Sequence, residues 1–196
     1  MTGSQQREWV TGILESLPSV TFLALWRGDL VGLEAAGWTG CGLAAAVLLA
    51  LRLRRTPFDP ILLGINLHML VITPLVVGLF HAGQPALAGT LVDTAQTGVL
   101  VAILAVGAAL TLFAPRGFVG IAGLPTGARR GYSLLLLAVA GAAVPWSLAH
   151  AGSTLMSIGV PLMALFGLRR YLVARWQDKA GDGDRALAAM AAPGGD

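Results

Sequence analysis

Three side chains able to donate, accept or carry a proton, Asn66, His68 and Thr73, interrupt the otherwise apolar stretch 60–80, PILLGINLHMLVITPLVVGLF. At about 1.5 Å rise per residue its 21 positions cover about 31 Å, the thickness of a bilayer's hydrocarbon core. His68 falls about 12 Å into this span, where an imidazole is suited to proton exchange, to ligation, or to a hydrogen bond with a neighbouring helix. Asn66 and Thr73 lie seven positions apart and so share one helical face, whereas His68 sits about 200° away from Asn66. A helix with polar groups on two sides belongs inside a bundle, with all three side chains facing protein.

Two further histidines, His81 and His150, fall at the ends of apolar stretches on what reads as the same side of the membrane. Facing each other, they would offer the two imidazoles of a bis-histidine haem or a copper site; standing in headgroup water, they need no such partner. Glu15 sits in a short apolar segment near Pro18, at headgroup level or immersed. Asp29, Glu34 and Asp93 line the outer side, the side of these two histidines, with no helical spacing that would make a catalytic pair. Ser153 and Ser157 lack a nucleophile elbow, and the chain has no phosphate-binding loop, dinucleotide fingerprint or zinc-binding helix motif. The lone Cys41, in an apolar segment, excludes an intrachain disulfide and reads as a small packing residue. No catalytic residue, metal site or cofactor is expected from these patterns, and the chain reads as non-enzymatic.

The elements that carry these residues are dictated by composition. Of 196 residues, 56% are hydrophobic and 12% charged, and mean hydropathy is +0.75. Ordinary soluble domains are about 25% charged, so the chain reads as an all-α, polytopic membrane bundle of about six spans, near 10–26, 30–51, 60–80, 97–114, 132–148 and 153–174. Residues 1–176 make a single transmembrane domain. The tail 177–196, rich in Asp, Gly and Ala, reads as disordered, with a short helix over 185–192. The first segment either spans or re-enters, with Pro18 favouring a break in it. Pro74, Pro145 and Pro161 open the same question for later spans, since interrupted helices mark transporter sites. Within the second span, Gly37, Gly40, Cys41 and Ala44 recur at three- and four-residue spacings that admit a neighbouring backbone. Residues 81–96 read as a linker, and 116–131 as the longest loop, with Phe118 and Ile121 exposed to something apolar.

Orientation follows from the basic residues. With both termini in the cytoplasm, Arg7, the group Arg52, Arg54 and Arg55, the group Arg116, Arg129 and Arg130, and the cluster Arg169, Arg170, Arg175, Lys179 and Arg185 all fall inside, and Arg27 alone falls outside. The formal charge of +3 is therefore explained by span ends and anionic headgroups, without a basic stripe for nucleic acid. The partners this pattern admits are the lipid bilayer, other membrane proteins and further copies of the chain.

The order of features also carries a resemblance. A short first segment begins Glu15-Ser16-Leu17-Pro18 and runs into an apolar stretch ending at Trp26, followed by Asp29. A long second span ends in arginines, two more spans and a proline-bearing loop follow, and the last of two final spans leaves as Leu168-Arg169-Arg170-Tyr171. Over residues 13–176 this is similar to bacterial inner-membrane proteins of the intracellular septation protein A type. The resemblance implies an inner-membrane protein that supports envelope integrity or division through protein partners, and carries over no functional residue. Beside it stand two alternatives read from single residues: a small transporter or proton-coupled channel with His68 in the pathway, and a haem- or metal-binding redox protein using His81 and His150.

Overall fold

The computed structural model of the protein describes residues 3–27 and 31–191, with side chains for 12–22, 24–25 and 31–178. The described residues form α1 (Gly3–Arg27), α2 (Leu33–Leu53), α3 (Pro60–His81), α4 (Pro85–Asp93), α5 (Ala95–Phe113), α6 (Thr126–Ala149), a π-helical turn (Leu155–Gly159) and α7 (Val160–Ala191), with no strand among them. Five described segments are long and apolar enough to cross a membrane: α2, α3, α5, α6 and the run Leu155–Asp178. The chain is an all-α, multi-pass membrane bundle. The remaining expected span, 10–26, lies on α1, whose side chains before Gly12 are outside the described residues.

Helix ends follow local chemistry. Asp59 caps α3, its carboxylate accepting from the backbone N–H groups of Ile61 (2.9 Å) and Leu62 (3.3 Å), while Pro60 begins the helix where no N–H is needed. α3 closes through Gly83 at φ +73°, with the N–H of Gln84 reaching the carbonyl of Leu79 and that of Gly83 reaching Phe80. α2 closes by the same pair of bonds, from Thr56 to Leu51 and from Arg55 to Arg52. There the left-handed residue is Arg55, at φ +53°, which lacks glycine's freedom in that region.

The prolines do not break α1, α3 or α6, which run uninterrupted through Pro18, Pro74 and Pro145. Pro18 is itself fully buried, so the packing of its ring offsets the lost hydrogen bond. The break comes instead ahead of Pro161, where the chain widens into the π-helical turn and the Val160 N–H bonds the carbonyl of Leu155. In that i to i−5 pattern Met156 would be served by residue 161, which as proline has no N–H. The indole Nε1 of Trp146 donates to the Met156 carbonyl at 2.9 Å instead. Trp146 thereby satisfies a carbonyl of the π-helical turn that the proline leaves without an N–H.

α3 packs against α1, α2, α4 and α5, while α5 continues to α6 and the π-helical turn, and α6 to α7. The close approaches rest on small residues. A Cβ on Gly64 would meet the backbone of Ile103 at 2.7 Å, one on Gly37 would meet Thr73 at 3.1 Å, and one on Gly40 would meet Met69 and Phe22 at 3.2 Å. Several stretches differ from their sequence reading. The linker 81–96 contains α4, begun by Pro85. Phe118 is not exposed: it is fully buried with Val119 in a core that includes Ile61, Leu100, Ile103, Leu136 and Leu165, and its ring fills the space over Gly107. The loop after α5 folds back into the bundle because that gap suits an aromatic ring. α6 begins at Thr126, ahead of the expected 132, and α7 runs on to Ala191.

Candidate functional site

The polar residues of α3 divide between its two neighbours. Asn66, 1% exposed, faces α1, where its Nδ2 donates to the Glu15 carbonyl at 3.0 Å. Thr73, on the same face, donates to the Gly37 carbonyl of α2 at 3.4 Å. His68 lies on the α5 side, its ring seated over Gly98, where a Cβ would come within 2.7 Å of Cε1. It is half-buried, and Nε2 meets no hydrogen-bond partner among the described residues; the same holds for Asn66 Oδ1 and Ser19 Oγ. Asn66, His68 and Thr73 thus all contact protein, but they are not gathered into one site.

At the arginine-bearing end of the bundle, Glu15, Asp59 and Arg169 form a network. The Glu15 carboxylate is buried and accepts from the Asp59 backbone N–H through both oxygens, at 3.1 and 3.3 Å. The other oxygen of the Asp59 side chain pairs with Arg169 of α7, whose Nε donates to the Val119 carbonyl at 3.1 Å. Four segments far apart in sequence meet there: α1, the start of α3, the loop after α5, and α7. Asp59 and Arg169 were missed as site residues by sequence reasoning. The only signals were the cap position within Thr-Pro-Phe-Asp-Pro and a basic cluster, and both patterns are explained locally.

At the opposite end, Gln96 of α5 accepts from the Ser157 hydroxyl and donates to Thr154 at 3.2 Å, and Thr97 and Ser147 share a hydrogen bond of 2.9 Å. Ser157 thereby holds the π-helical turn. His81 and His150 are each bound to their own helix, His81 Nδ1 to the Val77 carbonyl (3.0 Å) and His150 Nδ1 to that of Trp146 (2.9 Å). His150 also stacks on the Trp146 ring, with centroids 4.2 Å apart. α3 and α6 pack chiefly on α5, which stands between them, and the two rings are not brought together as a pair by any contact described. Among the described residues no group of three His, Cys, Asp or Glu side chains is placed to hold a metal ion. Cys41 is buried and free. Asp93 is exposed, and Asp29 lies outside the described residues.

A cavity of about 460 Å³ opens at this end between α1, α2, α3, α4 and α5. Its walls are mainly apolar, with Phe22, Ile72, Val76 and Phe80 prominent, and its polar lining is Glu34, Thr73 and His81. No family model matches the chain, and no curated protein or solved structure matches it.

Proposed function

We propose that the protein is a non-enzymatic scaffold of the bacterial inner membrane, septation protein A-like, that supports envelope integrity or division through protein partners. The observation that supports this reading is the use of the polar side chains within the bundle. Asn66, Thr73, Asp59, Arg169 and Gln96 each join one segment to another across the fold, so the chemistry in the spans serves assembly. The outer faces are apolar, with Leu53, Leu112, Phe113 and Met163 among the most exposed, and these surfaces meet lipid or other membrane helices. The arginines at one end support an orientation with both termini in the cytoplasm. A photoreactive residue at Phe113, which is 86% exposed, is expected to crosslink in cells to a division or envelope-synthesis protein. Adducts with lipid or with other copies of this chain alone would remove the scaffold reading.

A second reading rests on one specific observation. His68 Nε2 is buried in the span without a partner among the described residues, and an ionisable group in that position suits proton movement. Proton flux into proteoliposomes that falls when His68 becomes alanine would favour a proton-coupled transporter over the scaffold.

A further inference from the structure

We propose that the cavity walled by α1, α2, α3, α4 and α5 binds a small hydrophobic molecule carrying a primary ammonium group. Its volume of about 460 Å³ falls within the range of small-molecule sites, roughly 300–1,000 Å³, and such sites combine apolar walls with a few polar groups that orient the ligand. The polar lining here is of one kind. Glu34 offers a carboxylate and has no hydrogen bond or ion pair with a described residue. It stands in the first turn of α2, where the helix dipole favours its negative charge. The His81 Nδ1 contact is to a carbonyl, which only accepts, so in the neutral ring Nδ1 carries the hydrogen and Nε2 is an acceptor. The Thr73 hydroxyl gives its one hydrogen to Gly37 and retains acceptor capacity.

Three acceptors with a net negative charge, set against apolar walls, match a cationic donor on a hydrophobic body. The same lining disfavours an anion or a ligand whose polar atoms only accept. The wider field has the same sign: Glu34 and Asp93 are the charged side chains described at this end, the described arginines lie at the other, and the side chain of Arg27 is outside the described residues. The binding does not depend on the scaffold reading.

The test uses the full chain in phosphatidylcholine nanodiscs with an octylammonium probe that carries a diazirine on its chain. Labelling is expected on peptides covering 33–37 and 72–81, competed by octylamine and not by octanol. Glu34→Gln should lower the labelling about tenfold, as expected for loss of a charge-assisted hydrogen bond, with the circular dichroism spectrum unchanged. Equal competition by octanol, or labelling indifferent to Glu34→Gln, overturns the proposal. Protection by phosphatidylethanolamine added to the nanodiscs overturns it as well, because the occupant would then be a bilayer lipid.

Discussion

The Asn66 side chain donates to the backbone carbonyl of Glu15 at 3.0 Å, a bond between α3 and α1 made inside the bundle. Changing Asn66 to leucine lowers the cost of entering lipid and leaves that carbonyl with its own helix alone. We expect normal membrane insertion with stability reduced by about 0.5–2 kcal/mol, the range for interhelical hydrogen bonds in membranes. Unfolding in mixed micelles measures the loss, and unchanged stability would mean that the bond contributes nothing net.

His68 and Gly98 should behave as a coupled pair. The imidazole occupies the space a Cβ at Gly98 would need, so Gly98→Ala forces α3 and α5 apart at an expected cost of about 1–3 kcal/mol. His68→Ala in the same chain removes the obstruction. A double-mutant cycle should therefore give a coupling above about 0.5 kcal/mol, and additive effects would contradict this contact.

Arg55 ends α2 in the left-handed region at φ +53°, where side chains other than glycine are disfavoured by roughly 1–2 kcal/mol. Arg55→Gly matches the closure that Gly83 makes for α3, and should stabilise the protein by about 1 kcal/mol. A lower melting temperature in detergent would show that the arginine head group makes a compensating interaction.

The charge pattern predicts the membrane frame. With Cys41 replaced, a cysteine at Gly89 on α4 should react with an impermeant maleimide added to intact cells, and one at Ala180 should react only after permeabilisation. Labelling of Ala180 from outside would invert the frame.

How much of this was legible in the sequence depends on the range of the interaction concerned. Apolar runs of bilayer length determine where helices form, whatever they pack on, so the all-α membrane class and the approximate bounds of α2, α3 and α5 could be read directly. The opposed faces of α3 were equally legible, because helical geometry alone separates Asn66 and Thr73 from His68. The tertiary structure decided which neighbour each face meets: α1 and α2 take Asn66 and Thr73, and α5 takes His68. It also joined Glu15, Asp59 and Arg169 across 154 positions of sequence, a meeting that no local pattern encodes. Phe118, expected to be exposed, lies in the core because Gly107, on another segment, leaves room for its ring. The cavity is likewise a property of five packed helices, since Glu34, Thr73 and His81 acquire a common role only when α2 and α3 stand side by side.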